Sequence, residues 1–208
     1  MEFASLVNKL ISRLQKPLPG HEAHILAAPK RRLNTEDYLS QNPSYKSGCV
    51  IILIFPDEGL TRMVLMERAD AGNIHSGQIS FPGGRREMDD RTLEETALRE
   101  TYEEVGIDPA EIKIIGRLSD LYIPVSNYLV HPFLAITQHL PLTKLNEAEV
   151  KSILLPPIDI FMIDALMQGH FHSQSGELID APYYPYESHK IWGATAMMIS
   201  ELVYVIKN

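Results

Sequence analysis

Phe81-Pro82-Gly83-Gly84-Arg85-Arg86-Glu87-Met88-Asp89-Asp90, followed after eight intervening residues by Arg99-Glu100-Thr101-Tyr102-Glu103-Glu104-Val105-Gly106-Ile107, decides how this 208-residue chain is read. The second half has helical character from about residue 92 to 105, and Gly106 supplies the stop. At about 100° per residue, Glu100 and Glu104 lie about 40° apart and Glu103 about 60° to the other side, so three carboxylates share an arc of about 100°. Leu98, Tyr102 and Val105 fall together opposite them and are the expected packing face. Carboxylates this close repel one another, and near a helix C-terminus they also oppose the macrodipole. Arg99, four residues from both Glu95 and Glu103, can pair with either but leaves charge over. A hard divalent cation is the natural complement, and a solvated acidic helix face is the alternative. The preceding turn favours the cation. Pro82 fixes one dihedral, and two glycines let the backbone approach a ligand or turn a carbonyl toward a metal.

Outward from this stretch, strands and helices interleave as in a layered α/β arrangement. Apolar residues at Phe3, Leu6, Val7, Leu10, Ile11 and Leu14 predict an amphipathic helix over 3–16, ended by Pro17-Leu18-Pro19-Gly20. Its stripe must be covered by the domain or by a second copy of the chain, so a homodimer is one expectation. Residues 21–47 read as irregular, with a basic patch at Lys30, Arg31 and Arg32 expected to be solvated surface. The run 48–55 reads as a buried strand, Asp57-Glu58-Gly59 as a hairpin turn, and Arg62 to Arg68 as a second strand. Further strands are expected at 112–118 and 129–137. Short helices are expected before Pro156-Pro157 and over Ile158 to Leu166, and a last helix over Thr195 to Ile206. The expected division is a helix and linker over 1–20 and one domain over 21–208.

Composition limits the function. With 19 Lys+Arg against 27 Asp+Glu the net charge is −8, which argues against a protein that grips nucleic acid by charge. A small phosphate anion would need metal ions or a local cluster of basic side chains. Cys49 is the single cysteine, so no intrachain disulfide forms and a reducing, cytoplasmic compartment is expected. The apolar run 48–55 is far short of the ~20 residues that span a bilayer, and no membrane association is expected. The N-terminal segment reads as a soluble helix. A mitochondrial presequence is the runner-up, opposed by Glu2 and the scarcity of Arg.

The motifs resemble the Nudix hydrolase family, whose box reads Gly, five residues, Glu, seven residues, then Arg-Glu-U-x-Glu-Glu-x-Gly-U, with U aliphatic. Arg99-Glu100, Glu103-Glu104, Gly106 and Ile107 match the second half, with Thr101 at an aliphatic position. In the first half Gly84 is followed at the right distance by Asp90, but eight residues separate Asp90 from Arg99, leaving the first acid open among Glu87, Asp89 and Asp90. The coenzyme A pyrophosphatase branch has this longer spacing and an upstream signature, Leu-Leu-Thr-x-Arg-(Ser/Ala), three residues, Arg, three residues, Gly, three residues, Phe-Pro-Gly-Gly. Val64-Leu65-Met66-Glu67-Arg68-Ala69, Asn73, Gly77 and Phe81-Pro82-Gly83-Gly84 stand in register with it, departing at Met66 and Asn73. His75, Gln78, the Pro124-Val125-Ser126-Asn127 loop and the run Ile191-Trp192-Gly193-Ala194-Thr195-Ala196 also look like this branch.

The resemblance implies a Nudix α/β/α sandwich with a mixed sheet and an added N-terminal helix. It implies hydrolysis of the diphosphate of coenzyme A or its thioesters to 3′,5′-ADP and 4′-phosphopantetheine, dependent on Mg²⁺ or Mn²⁺. Glu100, Glu103, Glu104 and the Gly84 carbonyl are the implied metal ligands, and Arg99 the residue that orients Glu103. Arg68, His75, Gln78, Gly83 and Gly84 are the expected substrate contacts. Tyr183, Tyr184 and Tyr186 are candidates for stacking on adenine or for packing, and Glu147 and Glu149 for a loop base or ligand, or for exposed loop acids. Two other readings stand: a Nudix hydrolase of ADP-ribose, NADH or another nucleoside diphosphate derivative, and a Nudix-fold ligand-binding module without turnover.

Overall fold

The computed structural model describes residues 2–30, 32–70, 76–139, 143–162, 165–172 and 176–208. In chain order the elements are α1 (Phe3–Arg13), α2 (His21–His24), α3 (Thr35–Gln41), β1 (Lys46–Asp57), β2 (Leu60–Met63), β3 (Leu65–Arg68), β4 (Ile79–Ser80) and β5 (Gly83–Arg85). There follow α4 (Leu93–Val105), β6 (Lys113–Arg117), β7 (Leu121–Ile123), β8 (Tyr128–Ile136), β9 (Val150–Leu154), α5 (Asp159–Met162), β10 (Met167–His172), β11 (Leu178–Tyr186), β12 (His189–Trp192) and α6 (Gly193–Lys207).

The central sheet is mixed. β1 and β8 run parallel at its middle, β2 and β5 pair with β1, and β6 and β7 pair with β8, all four antiparallel. β1 is apolar from Cys49 to Phe55, where both its faces are covered. Ile52 and Ile54 pack toward α1 and α6, whereas Cys49, Ile51, Leu53 and Phe55 pack toward Ala97 and Val105 of α4. That alternation makes an α/β/α sandwich, as the motifs imply. Leu6, Val7 and Leu10 of α1 are buried in the same core as α6, so the domain itself covers most of the stripe and leaves Ile11 exposed. Among the described residues, no helix is long and apolar enough to cross a membrane.

Several expectations are corrected. The expected strand 62–68 is two strands that part at Val64: β2 stays on β1, while β3 joins β4 and β9 in a second sheet. The segment before Pro156-Pro157 is the strand β9, held by β3, where a helix was expected. The helix expected over 158–166 is only the single turn α5, and residues 163 and 164 lie outside the described ones. Residues 21–47 are not irregular throughout, since they contain α2 and α3, the latter capped by the Asn34 side chain, which accepts from the Asp37 N–H. The β10-β11-β12 sheet had no sequence expectation. The 57–59 turn is as expected: Asp57 pairs with Leu60, and Glu58 and Gly59 carry positive φ.

Candidate active site

α4 begins at Thr92, whose side chain accepts from the Glu95 N–H, and ends at Gly106, left-handed with φ 72°. Its buried residues are Thr96, Ala97, Thr101, Glu104 and Val105, while Tyr102 is 55% exposed. The packing face is therefore rotated from the expected one. Thr101, at the aliphatic position of the motif, is fully buried, and its hydroxyl is satisfied there by donating to the Ala97 carbonyl at 2.7 Å.

This rotation separates the three glutamates. Glu104 is 1% exposed and points under the β5 turn, where the Gly83 N–H donates to it at 2.8 Å and Arg68 Nη1 donates to its other oxygen at 3.1 Å. Burial pushes its carboxyl up to about 7 against those two donors, with Glu100 and Glu149 adding repulsion. Glu100 is raised too, first by burial and then, against Arg99, by Glu103 and Glu149. Glu103 stands at the rim, its side chain 51% exposed and paired with Arg99 at 2.9 Å.

Arg99 is the hub of this helix face. It donates to Asp90 through Nε at 3.0 Å and Nη2 at 2.9 Å, to Glu103 through Nη1 at 2.9 Å and to the Arg85 carbonyl at 3.1 Å, and its Nη1 is 3.1 Å from Glu100. Asp90 also accepts from the Thr96 hydroxyl at 3.0 Å and the Glu87 N–H at 2.8 Å. Among Glu87, Asp89 and Asp90, Asp90 is the acid that Arg99 holds. Its carboxyl is held well below the usual range, chiefly by Arg99.

Gly83 and Gly84 are required for different reasons. A Cβ on Gly83, whose φ is 146°, would meet the Cys49 carbonyl oxygen at 2.1 Å, so this glycine lets β5 lie against β1. A Cβ on Gly84 would sit 2.4 Å from the Glu100 carboxylate carbon, so this one makes room for the acid.

These groups open onto one cavity of about 830 Å³. Glu100, Glu104, Gly83, Gly84, Arg68 and Gln78 line it; Glu103 and Arg99 lie outside the lining, and His75 and Asn73 outside the described residues. Pro124, Val125 and Ser126 form part of the wall, as do Trp192, Gly193, Ala194 and Thr195. Arg68 lines the cavity with its guanidinium paired to Glu104 at 3.1 Å. Tyr183 and Tyr184 are buried, Tyr184 edge-on against Phe161, and Tyr183, Tyr184 and Tyr186 do not line the cavity. They pack and do not offer a stacking face.

Glu149 also lines the cavity, although exposed, and its charge acts on both Glu100 and Glu104. Its neighbour Glu147 is absent from the lining. Lys46 and Arg32 complete the polar wall. The basic trio is thereby split: Lys30 is exposed, 4.0 Å from Asp180, and Arg31 lies outside the described residues. Nothing in the sequence separated Arg32 from its neighbours. The buried Ser80 hydroxyl on the same wall has no hydrogen-bond partner.

The donor set suits a hard divalent cation. Carboxylates that repel one another across a cavity, over a backbone cleared by Gly84, are oxygen ligands of the kind Mg²⁺ and Mn²⁺ take. Among the described residues no three acid, histidine or cysteine side chains are gathered closely enough to hold one ion as they stand. Arg68 and the Gly83 N–H occupy the two oxygens of Glu104, and Arg99 Nη1 holds one oxygen each of Glu100 and Glu103.

The result is an acid-lined cleft beside a glycine turn, set against a mixed sheet between helices. The NUDIX domain family model matches residues 46–175, and the chain belongs to the Nudix family. It is 30% identical over 200 residues to the uncharacterized Nudix hydrolase NudL of Photorhabdus laumondii, covering 94% of this chain and 95% of that one. Nudix hydrolase 15, mitochondrial, of Arabidopsis thaliana is 30% identical over 172 residues, covering 76% of this chain and 59% of the plant protein. The NUDIX hydrolase from Alicyclobacillus acidocaldarius has a crystal structure that superposes with a TM-score of 0.50 at 20% identity, over 77% of this chain and 92% of that one. The protein is a Nudix hydrolase, in a family whose members generally use divalent cations.

Proposed function

We propose that this hydrolase cleaves the diphosphate of coenzyme A or its thioesters to 3′,5′-ADP and 4′-phosphopantetheine, with Mg²⁺ or Mn²⁺. One observation carries the reading: four separated runs that resemble the coenzyme A pyrophosphatase branch meet on the wall of a single cavity. These are the stretch from Gln78 to Arg85, Glu100 and Glu104 of α4, the Pro124 loop and the run from Trp192 to Thr195.

Glu100, Glu103, Glu104 and the Gly84 carbonyl would hold the cations, which when bound neutralise the diphosphate and polarise water. The chain's own residues do the rest. Arg99, clamped by Asp90, fixes the rotamers of Glu100 and Glu103 from behind. Glu149, exposed to water and facing Glu100 and Glu104, is placed to accept a proton from the attacking water at its carboxylate. The water oxygen joins one phosphorus, and the bridging oxygen leaves with the other phosphate. The buried Cys49, its thiol pushed up to about 12 by burial, is no nucleophile, and as the sole cysteine it suits the cytoplasm, which fractionation of tagged protein would test.

Chromatographic product analysis with coenzyme A, NADH and ADP-ribose side by side, with and without Mg²⁺, tests the reading. The expected result is metal-dependent formation of 3′,5′-ADP, with the highest kcat/KM for coenzyme A. Met66 and Asn73 depart from the branch signature and favour the second reading, another nucleoside diphosphate derivative, which preferential turnover of NADH or ADP-ribose would establish. Binding without hydrolysis of any of the three would make the chain a ligand-binding module.

A further inference from the structure

Arg32 is half-buried in the cavity wall, and burial pulls its pKa below the ordinary arginine value. Its guanidinium donates to the Tyr122 carbonyl and lies over the Tyr38 ring at 5.5 Å, and among the described residues no carboxylate pairs with it. Taking a cation partly out of water without an anion is costly, and such sites are normally paired. Lys46 is exposed on the same wall, its Nζ over the Tyr128 ring at 5.6 Å, and likewise forms no ion pair among the described residues.

The sheet register brings the two together. Lys46 on β1 stands opposite Tyr128 on β8, which stands opposite Ile123 on β7; in the adjoining row Leu129 stands opposite Tyr122, whose carbonyl anchors Arg32. At about 4.8 Å between strands, the two anchor points are about 10 Å apart, within reach of converging Arg and Lys side chains. The row containing Cys49 and Gly84, where Glu100 sits, is three residues further along β1, about 10 Å away at ~3.3 Å per residue. A ribose carrying phosphates at two positions spans a separation of that order. The cavity thus has an acidic end suited to cations and a cationic end with no anion.

We propose that Arg32 and Lys46 form an anion subsite for a phosphate monoester on the nucleoside part of the substrate, remote from the diphosphate that is cut. The proposal rests on reading this cavity as the hydrolytic site. Arg32 supplies the planar fork that matches a phosphate, and Lys46 a mobile point charge. In a protein of net charge −8 the pair gives a polyanionic substrate a place where its extra charge is stabilising.

The test is calorimetric binding, independent of turnover, of adenosine 3′,5′-bisphosphate, adenosine 2′,5′-bisphosphate and 5′-AMP to wild-type protein, Arg32→Ala, Arg32→Lys and Lys46→Ala. Wild type should bind one bisphosphate about ten- to a hundredfold more tightly than 5′-AMP, the size of a charge-assisted hydrogen bond to phosphate. The preferred isomer identifies the source: 3′ for a coenzyme A type of substrate, 2′ for a 2′-phosphorylated dinucleotide. Arg32→Ala should bring the affinity ratio close to one, with partial recovery in Arg32→Lys. Lys46→Ala, at an exposed position where folding is not at risk, should lower the ratio several-fold. Equal affinities in wild type, or a ratio unchanged in both alanine variants, would overturn the subsite. A clear bisphosphate preference in a protein that hydrolyses no diphosphate would overturn the proposed reaction and leave the subsite standing, so the two failures are distinct.

Discussion

Replacing Gly84 by alanine separates the site from the fold. Gly84 does not have a left-handed φ, so alanine fits the backbone, but its Cβ would lie 2.4 Å from Cδ and Oε2 of Glu100 and 2.6 Å from Oε1. Ordinary contact begins at about 3.4 Å, so the carboxylate must retreat by about 1 Å. The carboxylate ends a flexible side chain and can move without disturbing α4, which keeps the stability cost within about 0.5 kcal/mol, or roughly 2 °C in Tm. A catalytic group displaced by about 1 Å costs on the order of a hundredfold in rate. Gly84→Ala should therefore lose about a hundredfold in kcat/KM, measured by product chromatography, with a nearly unchanged melting temperature. Gly83→Ala is the contrast: its Cβ would be 2.1 Å from the Cys49 carbonyl oxygen and 2.6 Å from the Val50 Cα, rigid atoms of β1, so that variant should lose stability before anything else. A Gly84→Ala enzyme with wild-type kcat/KM, or one that unfolds as Gly83→Ala does, would refute the assignment of Gly84 as the space that Glu100 occupies.

Asp90→Asn weakens the clamp on Arg99 while leaving the Glu100 and Glu103 side chains intact. A loss of about 2 kcal/mol, or roughly 4–8 °C in Tm, together with reduced kcat is expected by calorimetry and kinetics. Glu104→Gln and Glu103→Gln should both fold and fail to hydrolyse in limiting Mg²⁺, and EDTA should abolish wild-type hydrolysis; undiminished turnover in either variant would remove that residue from the site. Glu201, fully buried on α6, is desolvated, yet His24 at 2.8 Å and the Ser119 donors outweigh burial and hold its carboxyl below the ordinary value. Its contribution to stability is therefore present above its unfolded pKa near 4.3 and lost as pH falls through the lower folded value. Glu201→Gln should thus flatten the fall in Tm below about pH 4, and a slope equal to wild type would contradict the linkage.

Local periodicity made part of this molecule legible. The spacing of Glu100, Glu103 and Glu104, the Gly106 stop, the Pro-Gly-Gly turn and the two-residue hairpin at Glu58-Gly59 are fixed by backbone geometry over one or two turns of chain, and each stands where the residues indicated. Which side of α4 is buried is not local. It depends on the face that β1 and β5 offer, and it turned Glu104 inward, left Glu103 at the rim and exposed Tyr102. The strand nature of 150–154 depends likewise on pairing with β3, more than eighty residues away. Glu149 is one of two candidate loop acids in the sequence, Arg32 one of three basic residues expected to be solvated, and Lys46 carries no expectation; only the folded chain brings all three onto one cavity wall. The sequence by itself determined the chemistry of the carboxylate helix and its glycine turn, because the arrangement of residues three and four apart is set by the helix. The tertiary structure decided which acid is buried, what Arg99 and Arg68 hold, and where the second cluster of charge lies, because burial and electrostatics depend on neighbours distant in sequence.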